Sequence, residues 1–153
     1  MIGLLMMFIF VWNMNQEDGM FSKRAEVLKA HSCHAALIKL KREIPANWTI
    51  VCNGNNMEVT IRKDLLASNF AEDVDMKEVL YREMANDLMY LSKKAPNDNL
   101  ERTGYIVLKL LHDELDIHAL TEGRYLARLA SLTEPRIMAE HLRATVQVQE
   151  RYH

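Results

Sequence analysis

The sequence predicts an α+β fold that is predominantly helical: one basic N-terminal helix, one β-hairpin, then a bundle of about four helices. Three observations carry this expectation. Five glycines and three prolines in 153 residues leave room for long regular elements. Two short runs, WTIVC and MEVTIR, are rich in β-branched residues and flank Asn53-Gly54-Asn55-Asn56, whose residue types tolerate the positive φ of a hairpin turn. Elsewhere apolar residues recur mainly at three- and four-residue steps.

In chain order, residues 21–43 read as the first helix, with Ser22 as N-cap, and with Val27, Ala30, His34 and Leu37 on one stripe. Pro45 closes it, because the residue before a proline is pushed out of the α region. Residues 48–52 and 57–62 are the hairpin. A short helix is expected at 65–70, followed by an acidic loop. Asp75 with Glu78 three residues on is a capping signature for a helix over 76–93, which ends on Lys93 and Lys94, where cations complement the helix dipole. Residues 99–120, NLERTGYIVLKLLHDELDIHAL, are the most apolar charge-punctuated run long enough for a full helix and are expected to form the central helix, covered on several sides. A short helix around 125–132 and a last one opened by Pro135 complete the bundle. The polar tail 147–153 is expected to fray.

The first twelve residues, MIGLLMMFIFVW, are apolar, with no Lys or Arg among them. The run is short of the ~20 residues of a membrane span and lacks the basic start and cleavage site of a secretory signal. Residues 16–20 can be encoded by a string containing AGGAGG a few bases before an ATG, the layout of a bacterial ribosome-binding site. Residues 1–19 are therefore expected to be translated upstream sequence or a membrane-touching segment, and residues 20–153 a single globular domain. That string also points to an accessory protein of a bacterium, phage or mobile element.

Charge is unevenly placed. Residues 20–63 carry eight Lys/Arg against three Asp/Glu, and residues 64–153 carry eleven against sixteen. The halves can attract each other within the fold, or the basic half can face an acidic partner. For nucleic acid the candidates are Lys23, Arg24, Lys39, Lys41, Arg42, Arg62 and Lys63, with Trp48 as a stacking surface. Residues 125–131 and 135–143 also echo a helix-turn-helix, without its turn glycine. For a metal, His31 and His34 lie one turn apart, as do His112 and Asp116 on the expected central helix, and imidazole with carboxylate suits Zn or Fe.

Enzyme chemistry finds no support in the sequence. There is no GxSxG, P-loop, GxGxxG or HExxH. Adjacent Cys33 and His34 diverge on a helix and would not form a nucleophile–base pair. Two cysteines, Cys33 and Cys52, are too few for a disulfide framework and fit a reducing cytoplasm, with a single bridge between them left open. The expectation is a small, non-catalytic, cytoplasmic regulatory protein without cofactor. It acts through contacts with a protein partner or with its own copies, by hairpin pairing or head-to-tail contact. Nucleic-acid binding is the alternative and metal binding the third reading; membrane contact would enter only through residues 1–12.

Overall fold

A computed structural model of the chain describes residues 32–65 and 74–153. Residues 32–40 are helical (α1) and lead into the hairpin of β1, Trp48–Asn53, and β2, Asn56–Arg62. Two helices follow, α2 at Met76–Lys94 and α3 at Asn97–Arg102, before strands β3, Tyr105–Leu111, and β4, Leu115–Glu122. Helices α4, Gly123–Leu129, and α5, Pro135–Thr145, precede the last strand, β5, Gln147–Tyr152.

The five strands form one sheet in the order β1-β2-β3-β4-β5. All neighbours are antiparallel except β2 and β3, which are parallel. A parallel pair needs a long crossover, and α2 with α3 supplies it.

This corrects the fold expected from sequence. The chain is a mixed α+β structure built on a five-stranded sheet, not a mainly helical bundle beside one hairpin. The main error lies in residues 99–120. They form the end of α3, then β3, a turn at His112-Asp113-Glu114, and β4. The stretch is central, because β3 is the middle strand, but it is not a helix. The physical reason is burial of β3 on both faces. Ile106, Leu108 and Leu110 enter the helix-covered core, while Val107 on the opposite face is also buried. A strand buried on both sides reads as a continuous apolar run, and such a run has no period of two to betray it.

The tail is the second correction. Residues 147–152 are not frayed but paired with β4, from Leu115↔Tyr152 to Leu120↔Gln147. No apolar alternation marks this edge strand. Its attachment comes from long-range polar contacts instead. Glu150 of β5 accepts a hydrogen bond from the Tyr81 hydroxyl and pairs with Lys77 at 3.1 Å, both on α2.

Other expectations match the structure. The hairpin forms in the predicted place, and Gly54 at its tip has φ 61°. Asp75 caps α2, its carboxylate accepting from the Lys77 amide at 3.0 Å. Pro135 sits in the first turn of α5. Most of the expected helix at 65–70 lies outside the described residues, as do residues 1–19 and the start of the first helix.

One face of the sheet carries the core. Ile50, Val59, Ile61, Leu108, Leu110 and Ile117 meet Leu40 of α1, Leu80 and Leu88 of α2, Leu100 of α3, Leu126 of α4 and Met138 of α5. The hairpin tip is tied to the α3–β3 corner. Gly104 N donates to Asn55 O at 3.0 Å, Asn55 Nδ2 donates to Arg102 O at 2.8 Å, and the Tyr105 amide donates to Asn56 Oδ1 at 2.8 Å.

Cys33 of α1 and Cys52 of β1 form a disulfide with Cα atoms 6.0 Å apart. Being bridged, the Cys33 sulfur has no proton to donate to the Asn56 carbonyl 3.6 Å away. Closing a loop of this length restricts the unfolded chain by about 3 kcal/mol in the chain-entropy account. Reducing the bridge should therefore lower the unfolding free energy by about 3 kcal/mol, measured by urea denaturation with and without a thiol reductant. An unchanged midpoint would show that the bridge does not form in solution.

Candidate interaction surface

The helix-covered face of the sheet is core, so binding surface must come from the sheet edges, the second face or the outer helix surfaces. Cross-strand register defines the second face. One row runs Thr49, Thr60, Lys109, His118, Gln149, and the next runs Val51, Glu58, Val107, Leu120, Gln147. Lys109 Nζ pairs with Glu58 at 2.8 Å across these rows. His118, half buried beside Lys109, has its pKa lowered by burial first and by the Lys109 cation second. Neutral imidazole is thereby favoured.

The sheet ends in two strands of different character. β5 is fastened by its side chains. Glu150 accepts from the Tyr81 hydroxyl, and from the Tyr152 hydroxyl at 2.9 Å. Hydrogen bonds from the two tyrosines and Lys77 hold the Glu150 carboxyl below its ordinary range. Burial, and then the Glu150 carboxylate, push Tyr81 up to about 12. For a tyrosine raised in this way the folded state holds the phenolic proton more tightly than the unfolded chain. Its stabilisation is complete below the unfolded pKa near 10 and is lost as pH rises towards about 12. Glu150 acts in the opposite sense: its contribution is present above the unfolded carboxylate pKa and is lost as pH falls through the depressed folded value. Tyr81→Phe should remove the alkaline part of the stability profile while leaving a folded protein, checked by urea midpoints from pH 8 to about 12.

Among the described residues β1, at the other edge, lacks such guards. WTIVCN contains no charge and no proline. Thr49, Val51 and Asn53 are exposed, Val51 to 53 %. Natural sheets protect their edges with charges, proline or bulges, because an open row of backbone groups invites another strand.

The residues expected to bind nucleic acid do not share one surface. The Lys63 side chain, 13 % exposed, lies between α2 carboxylates, its Nζ 2.9 Å from Glu83 and 2.8 Å from Asp87. Arg62 pairs with Asp113 at 2.9 Å and Asp64 at 3.3 Å. Trp48, 8 % exposed, packs edge-on against Tyr90 with ring centres 5.4 Å apart, so it offers no stacking surface. Lys39, Lys41 and Arg42 are exposed at the end of α1. Lys23 and Arg24 lie outside the described residues. In the helix-turn-helix echo, Arg136 lies 3.5 Å from Glu140 of the same helix.

The expected metal ligands are likewise separated. His34 is exposed on α1, and His31 lies outside the described residues. His112 and Asp116 are close, but as parts of a turn lock rather than as neighbours on a helix. The Asp116 carboxylate accepts from the His112 amide at 3.1 Å, and His112 Nδ1 accepts from the Glu114 amide at 3.2 Å. With Nδ1 accepting, Nε2 carries the proton and donates to Leu65 O at 2.9 Å. Both ring nitrogens are thus occupied, and Asp116 also meets His153 at 3.0 Å. Among the described residues no group of three or more His, Cys, Asp or Glu is placed to hold a metal ion.

Sequence reasoning expected pairing through an exposed hairpin edge, but not which of the two hairpin strands would lie at the end of the sheet. The signal was present, since WTIVCN is visibly uncharged, but whether a strand is central or terminal depends on its neighbours. Compared with protein-family models, curated proteins and solved structures, the chain matches none.

Proposed function

We propose that this is a small, non-catalytic interaction protein that works by strand addition at the open edge of β1. The observation that supports this reading best is the six-residue edge strand without charge or proline, whose Val51 is 53 % exposed. An edge of this kind in a chain with an otherwise charged surface is a pairing site for extended backbone. The default occupant is a second copy of the hairpin, paired about a two-fold axis. An extended segment of a different protein is the heterologous version of the same contact.

A charge on the edge tests it. Thr49 is exposed, so Thr49→Lys leaves the core untouched. Light scattering across a concentration series should show self-association of the full chain and its loss in Thr49→Lys. Monomeric behaviour of both proteins, together with the same set of co-purifying proteins from the native host, would defeat the reading. The rival, nucleic-acid binding, is supported by the exposed Lys39, Lys41 and Arg42. A salt-dependent mobility shift abolished by reversing those three charges would replace strand addition with it.

No helix among the described residues is long and apolar enough to cross a membrane. A cytoplasmic location is the proposal from cysteine usage, and the Cys33–Cys52 bridge stands against it, since cytoplasmic thiols are kept reduced. Alkylation of thiols in intact native cells decides between them. Two labelled cysteines support the cytoplasm, and an unlabelled pair places the protein in an oxidising compartment.

A further inference from the structure

Lys39, Lys41 and Arg42 are all exposed where α1 ends and the chain turns towards β1. The turn is held by the Lys41 amide, which donates to Leu37 O, and by the Ile44 amide, which donates to Leu40 O, both at 3.0 Å. The Trp48 amide then donates to Pro45 O at 3.1 Å, where β1 begins. Cys33 is bonded to Cys52 near the other end of β1. Helix α1 is thus tethered to both ends of the strand, and its three cations stand at the Trp48 end. Arg62, Lys63, Lys77 and Lys109 each meet a carboxylate, but among the described residues none pairs with Lys39, Lys41 or Arg42. The acid next in sequence, Glu43, is turned to α2 instead. Its carboxylate lies 4.0 Å from Lys94, and its carbonyl accepts from the Tyr90 hydroxyl at 2.6 Å.

We propose that the β1 edge takes an extended acidic segment of another protein, which adds antiparallel to β1 and continues past Trp48, where its carboxylates meet Lys39, Lys41 and Arg42. This rests on strand addition at β1 and names the chemistry of the partner. Antiparallel pairing is slightly more stable per residue than parallel pairing. It places the C-terminal end of the added strand opposite Trp48, so the acidic residues follow the strand.

A second copy of β1 matches the cluster less well. Paired about a two-fold axis, it would bring its Asn53 end beside Trp48, and neither WTIVCN nor the Gly54-Asn55-Asn56 that follows carries a carboxylate. The acidic segment competes with that copy for one strand and has charge attraction in its favour. Nucleic acid also fits less well. An edge strand offers alternating donors and acceptors that match a peptide backbone. Arg62 and Lys63 are held by Asp113, Glu83 and Asp87, so only three cations of the described basic half remain for phosphates.

Fluorescence anisotropy of the full chain with two labelled, amidated peptides tests it. Both begin TVTVTV; one continues EEE and the other KKK. The acidic peptide is expected to bind about tenfold more tightly at low salt, and the gap should close at high salt. The triple variant Lys39→Glu/Lys41→Glu/Arg42→Glu should reverse the preference, which a misfolded chain could not do. N-methylation throughout the TVTVTV part should abolish binding of both peptides, because it removes the backbone donors without changing charge. Equal affinities, both lost on N-methylation, would overturn the acidic partner and leave strand addition standing. Acidic-peptide binding that survives N-methylation, or no binding of either peptide, would overturn the proposal. So would tighter binding of an oligothymidylate that the triple variant loses, which would make these cations a phosphate site.

Discussion

Replacing Lys63 with methionine is expected to destabilise the protein by about 3 kcal/mol, the low end of the cost of removing one partner from a buried ion pair. Lys63 follows β2, and its backbone amide donates to Leu111 O at 2.8 Å. Its side chain turns towards α2, where Glu83 and Asp87 meet it at 2.9 and 2.8 Å. The side chains of Lys63 and Asp87 are 13 % and 12 % exposed, so water screens this pair little. Burial is the largest single influence on Lys63 and acts downward, but the two carboxylates together hold its pKa above the ordinary value. Burial pushes the Asp87 carboxyl up, ahead of the downward pull of Lys63. The ion pair is therefore the condition for keeping Asp87 charged where it sits. Without Lys63, Asp87 must take up a proton or draw in water. The double variant Lys63→Met/Asp87→Leu should recover most of the loss, because an apolar pair of similar volume replaces the ions. Urea denaturation at pH 7 measures both. A single variant within about 0.5 kcal/mol of wild type would place this pair with exposed ion pairs, whose contribution is small.

Gly123→Ala should cost at least as much, about 3 kcal/mol, at the upper end of overpacking penalties. Gly123 opens α4, and its amide donates to Gly104 O at 2.7 Å. A Cβ there would lie 2.2 Å from Leu100 O and 2.4 Å from Thr103 O. Both are backbone atoms at the end of α3, so neither can turn aside, and the two helices would have to separate. The requirement is space, since Gly54 is the glycine with positive φ among the described residues. Gly104→Ala is the comparison. Its Cβ would meet Asn56 Oδ1 at 2.7 Å, the end of a side chain that can move. Moving it breaks the bond from the Tyr105 amide, a loss of about 1–3 kcal/mol if the amide is left unsatisfied. Thermal or urea unfolding should rank Gly123→Ala as the more damaging of the two, and the reverse order would refute the packing argument.

The polar contacts that organise this fold join residues far apart in sequence. Tyr81 and Glu150 are 69 positions apart, Arg62 and Asp113 51, and Tyr105 and Asn56 49. Opposite charges in the two halves suggested mutual attraction, and Lys63 with Glu83 and Asp87 and Arg62 with Asp113 are instances of it, whereas Lys109 with Glu58 runs against the trend. Their particular pairing could not be read from composition. The same contacts draw Arg62 and Lys63 away from the set of residues that looked ready for a phosphate backbone. Trp48 was misread for a related reason. An aromatic residue in a hairpin is exposed or buried according to which face the helices cover, and α1 and α2 cover its face.

What the sequence by itself determined is local. Asparagines and a glycine made the hairpin turn, Asp75 capped α2, and Pro135 opened α5, because each acts through bonds or torsions within a few residues. Only the tertiary structure decided that residues 105–122 are two strands rather than a helix, that β5 joins the sheet, and that β1 is left at its edge. Those outcomes depend on burial of both faces of β3, on the grip of Tyr81 and Lys77 on Glu150, and on which strands find neighbours. Each is a relation between distant parts of the chain that no local pattern encodes.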